Sequence, residues 1–213
     1  DDLEALAKLD IETMEMLAIR GGASKIKLID PNPEINGKTL DIVAFERGQT
    51  VPEAVRELYR DRQGSVMNLE LYDDNNTKFL SQEDWMMTCT DGRIPHPDQV
   101  SAHPRTYGSF TKKLREYVLA EKIISMSFAV RSMSGLAADF LHLKNWGYLK
   151  VGQAADIAIF DISKIMDVTS YENPKQFSQG ARFVLVNGKF ALKDGAHTGK
   201  LAGVSILRDG NTF

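Results

Sequence analysis

The 213 residues are 43% hydrophobic and 26% charged, which is enough apolar material for a core and excludes a disordered chain. A formal net charge of −3 carries none of the basic footprint that phosphate backbones demand, so nucleic acid is not an expected partner. Cys89 is the single cysteine and cannot form an internal disulfide, and no apolar run approaches the roughly 20 residues that span a bilayer, so no membrane partner is expected either.

The chain opens on Asp1-Asp2 rather than Met, and the natural N-terminus is expected to lie elsewhere, taking any leader with it. That leaves the compartment open between cytoplasm and periplasm. Leu3, Leu6, Ala7, Ile11, Met14, Leu17 and Ala18 recur at helical spacing before Gly21-Gly22, predicting an amphipathic helix whose apolar stripe needs covering. Ile26 and Leu28 alternate with lysines as a short strand that runs into Pro31-Asn32-Pro33 and Gly37, a stretch of turn formers. Thr50 and Glu53 form the S/T-x-x-E capping box of a helix through Val51, Ala54, Val55 and Leu58, with Pro52 tolerated in its first turn.

Met67, Leu69 and Leu71 alternate as a second strand, and Asp73 to Asn76 has the composition of a turn before a short helix toward Leu80. Trp85-Met86-Met87-Thr88-Cys89 is a compact apolar run, the pattern of a strand buried on both faces of a parallel sheet. From Thr90 to Gly108 the sequence reads as a long loop with three prolines, His96, His103 and two arginines, and long loops in compact domains are commonly functional. Helical spacing returns over Phe110 to Ala120, Phe128 to Met133, and Ala137 to Leu141, punctuated by Gly135 and Gly147. Beyond Gly147 the texture is β: Ile157 to Phe160, Phe183 to Val186 and Phe190 to Leu192, with Asn187-Gly188 as a type I′ hairpin.

Asp91 follows the apolar run directly, where a barrel strand's C-terminal end would present a catalytic carboxylate able to ligate metal or act as a base. On residue type alone an Asp-Gly turn, with the aspartate capping its own loop, is the favoured reading. His96, His103 and Arg105 share the loop. Histidine with aspartate is metal-ligand chemistry, arginine offers a planar fork for a carboxylate, and either histidine could equally be a plain loop residue. Cys89 reads as a buried structural thiol, His142 and His197 as ordinary surface or packing residues, and the eight methionines as core filling. Dinucleotide, P-loop and H-E-x-x-H motifs are absent from the sequence.

Three ordered blocks carry a resemblance. They are Cys89-Thr90-Asp91-Gly92 with His103-Pro104-Arg105-x-Tyr107-Gly108-x-Phe110; Ala129-Val130-Arg131-x-Met133 with Gly147-x-Leu149-x-x-Gly152-x-Ala154-Ala155-Asp156-Ile157; and Val184-x-Val186-Asn187-Gly188 with Gly195-x-x-Thr198-Gly199-x-x-x-Gly203. Together they resemble the D-aminoacylase (N-acyl-D-amino-acid deacylase) branch of the amidohydrolase superfamily. The G-x-L-x-x-G-x-A-A-D-I block is shared with dihydroorotases and hydantoinases, whereas the H-P-R block narrows the match. Gly37-Lys38-Thr39-Leu40 and the following Val51 to Arg60 helix resemble, more loosely, the insertion this branch carries.

The resemblance implies an α/β fold, the C-terminal part of a (β/α)8 metal-dependent hydrolase barrel with an inserted small α/β segment and a β-sandwich tail. Its segments would be 1–24, a barrel helix; 25–72, the inserted subdomain; 73–146, the last barrel strand, active-site loop and closing helices; and 147–213, half of a β-sandwich. It implies zinc-dependent hydrolysis of N-acyl-D-amino acids, with Asp91 touching the metal and shuttling the proton, Arg105 holding the substrate carboxylate, and His103 and Tyr107 shaping the loop. One or two zinc ions would be bound mostly by residues outside this chain, and the N-terminal part of the same protein is the expected partner, with homo-oligomers also allowed. A cyclic-amide hydrolase, or a non-catalytic scaffold for the chain taken alone, are the alternatives. An Asp91 on an outer surface, far from the tip of any strand and pointing at solvent, would overturn that assignment.

Overall fold

A computed structural model describes residues 2–93, 103–171 and 173–206. The chain divides into two compact units, with the boundary between Asp74 and Asn75. Among the described residues no helix is long and apolar enough to cross a membrane.

The first unit contains α1 (Asp2–Ile19), β1 (Ile26–Ile29), α2 (Leu40–Glu46), α3 (Val51–Arg60) and β2 (Ser65–Asn68). The capping box is formed as read: Thr50 Oγ1 accepts from the Glu53 N–H, and the Glu53 carboxylate accepts from the Thr50 N–H at 2.7 Å. The Thr50 N–H and, at 2.8 Å, the Thr50 hydroxyl hydrogen-bond to the Glu53 carboxylate and hold its pKa below the usual value. β1 and β2 pair antiparallel, Ile26 opposite Asn68 and Ile29 opposite Ser65. The second strand therefore ends before Leu69 and Leu71, where the alternation had placed it, and Glu70 turns the chain with a φ of 55°. β1 itself is four residues long, and after one more backbone bond, from the Leu69 N–H to the Lys25 carbonyl at 2.7 Å, the pairing ends.

Leu28, Ile35, Val43, Ala54 and Leu58 close the core of this unit with Leu17, the one buried residue of α1. Each aliphatic side chain removed from water there contributes about 1.5–3 kcal/mol. The rest of the α1 stripe, Leu3, Leu6, Ile11 and Met14, remains exposed.

The second unit carries α4 (Asp74–Ser81), α5 (Arg105–Lys112), α6 (Met126–Met133) and α7 (Gly135–Phe140), followed by the antiparallel sheet β3 (Ile157–Phe160), β4 (Ala181–Val186), β5 (Lys189–Lys193), β6 (Ala196–His197), in that order. α5 continues as a π-helix, Lys113–Ala120, and Leu114 and Tyr117 from it form a second core with Ile124, Ala129 and Ile165. Asn187 and Gly188 both take positive φ, 47° and 73°, as the I′ turn between β4 and β5 requires.

Three expectations are corrected. Residues 86–93 form no strand, and every strand pair among the described residues is antiparallel. A strand buried in a parallel sheet needs strands on its flanks, and among the described residues none pairs with the Trp85 to Cys89 run, whose Thr88 N–H donates instead to the Ser132 carbonyl. Cys89 accordingly is exposed rather than buried. Finally, Arg105, Tyr107 and Gly108, read as loop residues, lie on α5, which starts earlier than its apolar spacing indicated because Pro104 takes the N-cap position.

Candidate functional site

The Asp91 turn is built by its neighbours. Thr90 Oγ1 accepts from the Gly92 N–H at 3.1 Å, so the threonine hydroxyl, and not the aspartate, caps the turn. Asp91 takes a φ of 45°, a left-handed conformation that aspartate tolerates better than most residues. At Gly92 an added Cβ would stand 2.9 Å from Thr106 Cα, so a side chain there would push this coil off the start of α5. The close approach brings Asp91 Oδ2 to 3.0 Å from Arg105 Nη1. The aspartate side chain is 80% exposed and the arginine 43%; Asp91 therefore sits on surface coil and not at the tip of a strand, which overturns the expected carboxylate at a barrel mouth for this chain taken alone.

His103, Arg105 and Tyr107 share the α5 entry. The Arg105 N–H donates to His103 Nδ1 at 3.1 Å, and His103 Nε2 lies 3.3 Å from Tyr171 Oη. Since Nδ1 accepts, the neutral ring carries its proton on Nε2. Partial burial of the ring, reinforced by the Arg105 charge and opposed by Asp91, holds the His103 pKa below the usual histidine value. Tyr107 stacks edge-on against Phe177 with ring centroids 5.3 Å apart. His96 lies outside the described residues. His142 is exposed in a left-handed turn, φ 57°, and the His197 ring tilts against Phe177.

Two groups close to this turn were not legible in the sequence. Lys113 lies within what reads as an apolar helical stripe, yet it is buried at 6% exposure and donates from Nζ to Thr88 Oγ1 at 2.8 Å and Ser132 Oγ at 2.9 Å. Burial pushes its pKa down. With the Thr88 N–H donating to the Ser132 carbonyl, it ties the coil leading to Asp91 onto α6. Tyr171 belongs to no motif and reaches His103 only through the tertiary fold.

A metal ion demands several converging donors, and among the described residues no three His, Cys, Asp or Glu side chains gather to hold one. Asp91 is already charge-paired. The groups present suit proton transfer and carboxylate binding, and do not complete a metal site by themselves.

The sequence pattern of the Amidohydrolase family matches residues 44–191, more than half the chain. This chain belongs to the amidohydrolase family. It is 31% identical over 187 residues to a D-aminoacylase of Alcaligenes xylosoxydans xylosoxydans, covering 88% of this chain and 37% of that protein. Among solved structures it superimposes on a D-aminoacylase with a binuclear metal centre at a TM-score of 0.73 and 28% identity, covering 87% of this chain and 38% of that one. An N-acyl-D-glutamate deacylase from Bordetella bronchiseptica, complexed with zinc and a phosphonate inhibitor, gives 0.69 and 28%, covering 82% and 36%. The chain thus spans little more than a third of the length of the relatives it matches, and its fold is the α/β fold of amidohydrolases over that part.

Proposed function

We propose that the whole protein hydrolyses the amide bond of N-acyl-D-amino acids in a metal-dependent reaction, with this amidohydrolase chain supplying a proton-transfer carboxylate and a carboxylate-binding arginine. The observation that carries the reading is the Asp91–Arg105 pair, 3.0 Å apart, which joins the Thr90-Asp91-Gly92 motif to the H-P-R block that narrows the resemblance. The names of the relatives support it: D-aminoacylase, N-acyl-D-glutamate deacylase and N-acyl-D-aspartate deacylase.

A bound metal supplies Lewis acidity toward the acyl carbonyl, and in this reading zinc is held mostly by residues outside this chain. Asp91, a carboxylate open to solvent, accepts the proton of the attacking water and returns it to the departing amine. The contact to Asp91 occupies Nη1 of Arg105, so the remaining donors of the guanidinium are available to fork onto the substrate carboxylate. His103 and Tyr107 shape the segment that presents it. In the wider architecture, the rest of the protein supplies the barrel strands and covers the Asp91 coil, residues 25–72 are the insertion, and β3 to β6 belong to a β-sandwich. The N-terminal part of the same protein is the partner.

The test is to express the full-length protein and measure acyl release from N-acetyl-D- and N-acetyl-L-amino acids, with and without a chelator. Chelator-sensitive hydrolysis of the D-substrates is expected. Absent hydrolysis of both enantiomers, or turnover indifferent to the chelator, refutes the reading, and turnover of a cyclic amide in preference would move it to a cyclic-amide hydrolase.

A further inference from the structure

The residues between Met166 and Gln179 belong to no motif, yet they wrap the α5 entry. Met166 and Gln179 pair through both backbone hydrogen bonds, 3.2 and 2.8 Å, so the loop is closed at its base and its side chains act from a fixed neck. Five contacts then run to His103, α5 and its π-helical continuation. Ser178 Oγ donates to the Tyr107 carbonyl at 2.6 Å and accepts from Thr111 Oγ1 at 2.6 Å. Asp167 Oδ1 accepts from Arg115 Nε at 2.5 Å. A Cβ at Gly108 would collide with the Thr169 hydroxyl, so helix and loop touch backbone against side chain. The rings of Tyr171 and His103 meet edge to face, centroids 5.1 Å apart.

Chemistry fixes the direction of the His103 contact. Nδ1 is committed as acceptor from the Arg105 N–H, so Nε2–H must donate, and the Tyr171 hydroxyl oxygen 3.3 Å away receives it. The imidazole thereby links the Arg105 backbone to the loop. If the hydroxyl is removed, Nε2–H loses its acceptor, the other tautomer becomes competitive, and an Nδ1–H ring can no longer accept from Arg105.

We propose that Tyr171 and Ser178 are positioning residues: from a loop closed at Met166–Gln179, Tyr171 holds His103 in its Nε2–H tautomer and Ser178 holds the Tyr107 carbonyl, and together they set the Arg105 fork toward an anionic substrate group. The substrate half of this statement rests on the deacylase reading, while the tautomer half does not.

The experiment uses the full-length protein as wild type, Tyr171→Phe, which keeps the ring, and Ser178→Ala. Kinetics on an N-acetyl-D-amino acid should show KM raised about fivefold in each variant, the effect of one lost hydrogen bond of about 1 kcal/mol, with kcat little changed. Selective ¹⁵N-histidine labelling, with His103 assigned through a His103→Gln variant, should show the Nε2–H tautomer in wild type and tautomer mixing in Tyr171→Phe. An unmoved KM in both variants, or a loss confined to kcat, overturns the positioning role. If the full-length protein hydrolyses no N-acyl amino acid, the deacylase reading fails alone and the tautomer decides: a His103 that is Nδ1–H in wild type, or unchanged in Tyr171→Phe, overturns the proposal.

Discussion

Replacing Arg105 by alanine separates folding from function. The Arg105–Asp91 ion pair is 3.0 Å long, but its partners are 43% and 80% exposed. Pairs so solvated contribute about 0–1 kcal/mol to stability, so the urea midpoint of Arg105→Ala should shift by no more than that. The same side chain, forked onto a substrate carboxylate, makes charge-assisted hydrogen bonds whose loss costs about 1.5–3 kcal/mol. At 1.36 kcal/mol per decade this is a drop in kcat/KM of roughly 10- to 150-fold. The assay compares kcat/KM of full-length wild type and variant on an N-acyl-D-amino acid and on its carboxamide analogue. The wild type should discriminate strongly between them and the variant weakly, because only the acid presents a partner for the guanidinium. An equal loss on both substrates, or no loss on the acid, refutes carboxylate binding by Arg105. A stability loss of several kcal/mol would instead show that the pair is a structural one.

Two further outcomes follow from the geometry. Thr50→Ala removes the side-chain half of the α3 capping box and should lower stability by about 1 kcal/mol, read from urea unfolding, while Thr50→Ser should restore most of it. Lys113 is buried without a carboxylate, so its folded-state pKa is depressed by desolvation. Between that value and the usual lysine pKa of roughly 10.4 the unfolded chain binds more protons, so stability rises with pH across the window. Lys113→Met should lack that rise, and urea midpoints that run parallel for the two proteins from about pH 7 to 10 would contradict the buried-charge account.

Local rules set a large part of this molecule. The capping box at Thr50 and Glu53 and the Asn187-Gly188 turn depend on contacts within a few residues, and each is readable because its determinants are adjacent in the chain. The motif blocks were readable for a different reason: they name residue types that chemistry needs, wherever the fold puts them. The Trp85 to Cys89 run was misread as a strand because strand formation is a property of two partners, and apolar composition alone names just one. Cys89 was misjudged with it, since burial depends on what covers a residue. Lys113 sits in an apolar helical stripe, and only the hydroxyls of Thr88 and Ser132, brought in from distant sequence, make its burial tolerable. Tyr171 carries no local signal at all. By itself, then, the sequence determined the α3 capping box, the hairpin turn and the identities of Asp91, His103 and Arg105. Only tertiary structure decided that Asp91 stands exposed on coil against Arg105 and that a loop some 70 residues away holds His103, because hydrogen bonds and desolvation between distant segments exist only once the chain has folded.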